Sequence, residues 1–171
     1  MPSIIIRATD VSDQLNASLT LDLRNLQFTY ASAVDRRDPV ALRSVFHADA
    51  LVRVFAPDAD QPLVEARGHD ELVLMIDVMR ERYAKTMHVM TNSTSSIQGD
   101  AATGEVFGVA HHLIDDDGQA RTFVACLRYE DQFGRVPGAS WRITQRDVRF
   151  LWSEERPALP WESVLVRGRL S

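Results

Sequence analysis

Cysteine is almost missing from this chain: Cys126 is the only one in 171 residues. Without a second thiol there is no internal disulfide framework and no cysteine-rich metal site, and such usage suits a reducing, cytoplasmic setting. Long hydrophobic runs are missing as well. The opening MPSIIIRATD holds three consecutive isoleucines followed by charges, too short for a signal-peptide core or a membrane span. Positive charge is in short supply: the formal net charge of −5 argues against a nucleic-acid partner, which draws a basic patch. No GxSxG, P-loop, GxGxxG or HExxH occurs. His111 and His112, as strand neighbours, point to opposite faces and cannot chelate one ion together. The expectation is a protein with no metal, no organic cofactor and no membrane partner.

What is present is ordinary for a soluble domain: 45% hydrophobic and 25% charged residues, in a chain long enough for one sizeable core. The first half reads as helical. Leu19, Leu23, Leu26, Tyr30 and Val34 fall at spacings of four, three, four and four, one apolar stripe down a helix. In DRRDP, Asp38 serves as an N-cap with Pro39 at the first helical position, so one helix stops and a short one, PVALRSVF, begins. DALVRVF reads as a strand. A further helix starts near Gly68, with Asp70 and Glu71 at its positive end and Leu72, Met75, Ile76 and Met79 on its apolar face. That methionine-rich stripe reads as core rather than cofactor contact. Beyond Lys85, GDAATG and DDDGQ carry hairpin chemistry and separate long strands, the last of them SWRITQRDVRFLW. Helices first and antiparallel hairpins afterwards give an α+β class, with helices packed on one face of a curved sheet. Residues 1–14 read as an N-terminal arm, 15–153 as the domain and 154–171 as a tail against the domain or a partner subunit.

Strand alternation sorts candidate residues by face. Arg146 shares a face with Thr144, Val148, Phe150 and Trp152, and a charge there must be paired or line a wet cavity. His112 shares its face with Val106, Gly108, Ala110 and Ile114, where small residues leave room. His88, in TMHVMTNS, shares its face with Thr86, Met90 and Asn92. A roomy, mostly apolar face with a few polar groups is what a small-molecule pocket requires. Taken singly, each has a plainer reading: a structural strand histidine, a surface arginine, and, for Asp35 off the helical stripe, a surface acid.

Together, AVDRRDPVALRSVFHADA, the GHDE helix start, TMHVMTN, GDAATGEVFGVAHH and WRITQR resemble SnoaL-like proteins of the nuclear-transport-factor-2-like superfamily, over roughly residues 15–153. That superfamily includes ketosteroid isomerase and scytalone dehydratase. The resemblance implies a cone-shaped α+β barrel enclosing a deep pocket. It also implies an acid at the end of the first long helix, matched by Asp35, that orients a sheet histidine, matched by His88. Bile-acid dehydratase and hexachlorocyclohexane dehydrochlorinase look similar at Tyr30 and Arg146, and His112 matches a second pocket histidine of scytalone dehydratase. Val34 and Val54 stand where that enzyme has two water-binding tyrosines, and Ala125 near its pocket asparagine, so its specific activity is not implied.

The resemblance thus implies a cofactor-independent lyase for a small hydrophobic cyclic, polyketide- or steroid-like molecule. His88 is its base, Asp35 the orienting acid, Tyr30 the donor and Arg146 the stabiliser of negative charge. The pocket is expected to add His112, Val54, Met90, Asn92, Gly108, Ala110 and Phe150. The same base could serve an isomerase or a polyketide cyclase, and the fold could instead form a non-catalytic ligand-binding or association module. A metal-free epoxide hydrolase would need an acid–arginine–acid set that the sequence does not display. Relatives of this kind lead to the expectation of a homo-oligomer, a dimer or trimer.

Overall fold

The computed structural model describes residues 8–116, 119–135 and 139–159, with side chains described from residue 16 onward except at Asp116. Three helices, α1 (Ala8–Arg36), α2 (Pro39–Val45) and α3 (Gly68–Arg82), accompany six strands. These are β1 (Phe46–Phe55), β2 (Val64–Arg67), β3 (Lys85–Gln98), β4 (Ala101–Asp116), β5 (Gln119–Gly134) and β6 (Arg142–Pro157). They form one curved sheet in the order β2-β1-β6-β5-β4-β3, antiparallel except where β1 runs parallel to β6. The α+β class is thus as the sequence implies. No helix among the described residues is long and apolar enough to cross a membrane.

Several boundaries differ from the sequence reading, β1 beginning already at Phe46 and the two ends of the domain among them. With no glycine or proline between residues 8 and 36 to break it, α1 takes in residues 8–14 of the expected arm, while residues 1–7 lie outside the described residues. At the other end, β6 runs through residue 153 to Pro157, and the Ala158 amide still donates to the Ala120 carbonyl. The expected packing of the tail beyond residue 159 lies outside the described residues. β2, a short strand paired with β1, has no forecast in the sequence.

The stripe on α1 seats on the sheet as its spacing requires, with Leu23, Ala31, Ala33 and Val34 buried and Leu26 and Tyr30 against the core. α1 ends in paired backbone bonds, Asp38 N–H to Ala33 O and Arg37 N–H to Val34 O, with Arg37 left-handed at φ 56°. Asp38 then caps α2 by accepting from the amides of Val40 and Ala41.

The strand faces follow alternation until register shifts interrupt it. One lies between Met90 and Ser93 on β3, so Ser93 takes the inward place and Asn92 is exposed. Another falls where Cys126↔Trp152 gives way to Leu127↔Phe150, which turns Trp152 outward. The room expected at Gly108 is filled: a Cβ there would stand 3.0 Å from the Tyr129 ring and 3.3 Å from the Met90 sulfur. Gly108→Val should therefore destabilise the fold by about 1–3 kcal/mol through overpacking, read as a lower urea midpoint with unchanged slope.

Candidate active site

The last turn of α1 brings Asp35 against β3. His88 Nδ1–H donates to Asp35 Oδ1 at 2.7 Å, and the His88 backbone N–H donates to Oδ2 at 2.8 Å. The Thr86 hydroxyl donates a third bond, to Oδ1, at 2.9 Å. Burial pulls the Asp35 carboxyl upward, but the bonds from His88 and Thr86 together with the His88 charge outweigh it and hold the carboxyl below its usual range. With Nδ1 occupied, Nε2 is the free nitrogen of the ring; no hydrogen bond reaches it among the described residues. The orientation logic is that of a carboxylate fixing one tautomer of an imidazole base.

His88 forms part of the wall of a partly open apolar cavity with a volume of about 80 Å³. Tyr30 and Val34 of α1, Leu42 of α2 and Phe46 and Val52 of β1 line it too. Leu72, Met75, Ile76 and Met79 of α3 complete the wall. The α3 stripe, read from sequence as core, is thus the cavity's ceiling. Helical periodicity could not separate the two, because a core face and a greasy pocket wall demand the same residues. Tyr30 and His88 stand edge-on with ring centroids 6.5 Å apart. Burial raises the Tyr30 phenol above its ordinary range despite the opposing pull of Arg146, so it stays a proton donor.

The other expected residues are placed differently. Arg146 is fully buried and does not line the cavity: Nε and Nη2 grip the two Asp131 oxygens at 2.7 and 2.8 Å. Its guanidinium carbon lies 4.2 Å from the Tyr30 ring centroid and 5.0 Å from that of Tyr129. A buried charge needs this pairing, and no motif or spacing marks Asp131 as the partner. Gln27 donates to Asp131 at 3.0 Å and accepts from Ser93 at 2.6 Å, closing a buried polar row. Val54 shares the Val52 face but lies further along β1, packed against the core and outside the cavity lining. Met90 borders a separate open groove with Phe28, Ala31, Ser32, Asp35, Arg36 and His88. Ala110 is buried opposite His88 in register. Phe150, on the Arg146 side of the β5–β6 register shift, packs against the core outside the cavity lining and borders an outer polar cleft with Asp58, Asp60, Arg128 and Arg149. Among the described residues, no three His, Cys, Asp or Glu side chains come together to hold a metal ion.

A SnoaL-like domain matches residues 16–147. The chain belongs to the SnoaL-like domain family. The uncharacterised protein Rv2910c of Mycobacterium tuberculosis is 26% identical over 146 residues, spanning 83% of this chain and 88% of its own. Two solved structures share the fold closely. A type 2 hexachlorocyclohexane dehydrochlorinase gives a TM-score of 0.69 at 17% identity, over 86% of this chain and 92% of that one. A protein of Novosphingobium aromaticivorans provisionally described as a scytalone dehydratase gives 0.68 at 19%, over 88% and 96%. At identities this low the likeness is one of fold, shared also with a nuclear-transport-factor-2-like superfamily protein of Salmonella enterica, at a TM-score of 0.65 and 16% identity over 78% of this chain and 91% of that one.

Within this SnoaL-like fold, His112 sits beside the dyad without joining it. Its ring is 5.7 Å from that of His88 and 4.5 Å from that of Tyr83, and its Nδ1 is buried with no partner among the described residues. Burial, reinforced by the His88 charge and opposed in part by the Phe123 backbone, pushes its pKa down to about 4. Unfolded, the group titrates near its ordinary 6.5, so its charged form is disfavoured by folding. Stability should be full above about pH 6.5 and fall as the pH drops to about 4, by up to about 3 kcal/mol. Urea titrations across that window should show the loss in the natural chain and a flatter acid limb in His112→Phe, whose ring suits the Tyr83 and Phe123 surroundings. Asp131→Asn should cost about 3–5 kcal/mol in the same assay at neutral pH, because it leaves the Arg146 charge buried and uncompensated.

Proposed function

We propose that this SnoaL-like protein is a cofactor-independent lyase of the dehydratase type, acting on a small hydrophobic cyclic molecule that carries a carbonyl with a hydroxyl at the β-carbon. The observation that supports this above all is the Asp35-held His88 on the wall of an apolar cavity that Tyr30 also lines. His88 Nε2 takes the proton from the carbon beside the carbonyl. The electrons of that C–H bond form the new C=C bond, and the hydroxyl on the neighbouring carbon departs as water. Tyr30 or the protonated His88 supplies the proton that water needs. Arg146 acts through Tyr30: its charge beside the ring eases negative charge developing on the phenol oxygen as the proton leaves. Neutral ring compounds match the lining, which offers no cation to anchor a carboxylate or phosphate. The protein is further proposed to act in the cytoplasm as a homo-oligomer, with the exposed Met87, Val89 and Trp152 side chains as apolar surface for a second copy.

The test uses a panel of β-hydroxy ketones built on one or two rings, with formation of the conjugated enone followed by absorbance. His88→Ala should keep the natural melting temperature within a few degrees and lower turnover by about 10²–10⁴-fold, the usual worth of a positioned base. Unchanged turnover in the variant, or a natural chain inert on the whole panel, would remove the lyase reading. A shifted double bond without water loss would point to isomerisation by the same base.

A further inference from the structure

The end of α1 carries a residue out of place by backbone criteria. Arg37 occupies the left-handed position that closes the helix, at φ 56°, where a side chain is disfavoured and glycine is the usual occupant. Backbone strain kept at such a position is informative when the side chain has work to do. Here it turns back across the site. Arg37 Nη1 donates to the Thr86 hydroxyl at 2.6 Å and to the Val34 carbonyl at 2.7 Å, and Nη2 approaches the Met79 carbonyl at 3.4 Å. The Thr86 oxygen, accepting from the guanidinium, has its own hydrogen left to give, and it gives it to Asp35 Oδ1. Arg37 thus donates to Thr86 and Thr86 to Asp35, whose carboxylate accepts from the threonine on one side and from His88 Nδ1–H on the other.

We propose that Arg37 and Thr86 are positioning residues for the Asp35–His88 dyad: the guanidinium orients the threonine hydroxyl, and that hydroxyl locks the carboxylate in the rotamer that keeps the proton on Nδ1 of His88. The inference deepens the reading of His88 as a base, since only that neutral tautomer leaves Nε2 unprotonated. Two donors on Oδ1 and one on Oδ2 leave the carboxylate little freedom to turn. Without Thr86, Oδ1 keeps only the histidine, and the carboxylate can rotate away from the ring. Arg37 makes its hydrogen bonds to Thr86, Val34 and Met79, so its hydrogen-bonded link to the dyad passes through Thr86, beside a direct attraction between its charge and Asp35.

The tautomer is measurable without a substrate, by long-range proton–nitrogen correlation spectra of protein carrying nitrogen-15 histidine, in buffer at about pH 8 where an ordinary imidazole is neutral. The natural chain and Thr86→Ser should show His88 protonated at Nδ1, since serine keeps the hydroxyl. Thr86→Val should lower the ratio of the Nδ1–H to the Nε2–H form by about 3–10-fold, the worth of one lost hydrogen bond. Arg37→Gly should lower it in the same direction while leaving the melting temperature within a few degrees, because glycine suits the left-handed position. Combining Arg37→Gly with Thr86→Val should lower the ratio by clearly less than the product of the two single effects, since only the direct charge of Arg37 on Asp35 is left to lose. A natural-chain ratio retained in both Thr86→Val and Arg37→Gly overturns the proposal, as does a double variant whose effects simply sum. Spectra that respond as stated in a protein inert on every β-hydroxy ketone would uphold the clamp and sink the lyase reading. Turnover with silent spectra would do the reverse.

Discussion

One carboxylate organises the candidate site of this molecule. Asp35 takes three hydrogen bonds from β3: the His88 ring, the His88 amide and the Thr86 hydroxyl. A half-buried carboxylate without those donors would carry an uncompensated desolvation cost or take up a proton. The dependence runs both ways, since the imidazole needs an acceptor to settle which nitrogen is free. It also constrains the backbone. Asp35 reaches β3 because α1 ends just beyond it in paired backbone bonds and Asp38 at once caps the next helix. A helix ending elsewhere would turn the carboxylate toward solvent.

The same helix is tied to the sheet a second time, deeper in the core, by the row Ser93–Gln27–Asp131–Arg146. An apolar stripe tolerates small slides along a sheet, whereas directional bonds do not. Both polar anchors lie on α1, with Tyr30 between them, and the Arg146 guanidinium packs over the Tyr30 ring. Tyr30 also meets Phe46 and Tyr129 edge-on at 5.9 and 6.0 Å, so its ring is held from several sides. The charge of Arg146 stays inside the protein, and the cavity keeps an apolar wall interrupted by the tyrosine and the histidine.

Local irregularities decide which side chains face inward. The register shift on β3 puts Ser93, not Asn92, within reach of Gln27, and that bond completes the buried row. Gly108 admits the Tyr129 ring close to β4, so space that looks open in one strand is filled from the next. α3 closes the cavity with two methionines, side chains that adapt to irregular gaps at little rotamer cost.

The α+β order, the apolar stripes of α1 and α3, the break at DRRDP and the hairpins are legible from period and turn chemistry, because those are properties of neighbours in the chain. The pairing of Asp35 with His88 was legible only through family resemblance; by pattern alone the acid sat off the stripe and read as surface. Asp131 as the partner of Arg146, Gln27 and Ser93 as its extension, and Arg37 with Thr86 behind the dyad carried no sequence signal. Alternation also misplaces Asn92 and Trp152, because one extra residue in a strand reverses every face beyond it. Tertiary structure made these choices: hydrogen bonds between residues 50 or 100 positions apart depend on how a helix seats on a curved sheet, and no local period encodes that angle.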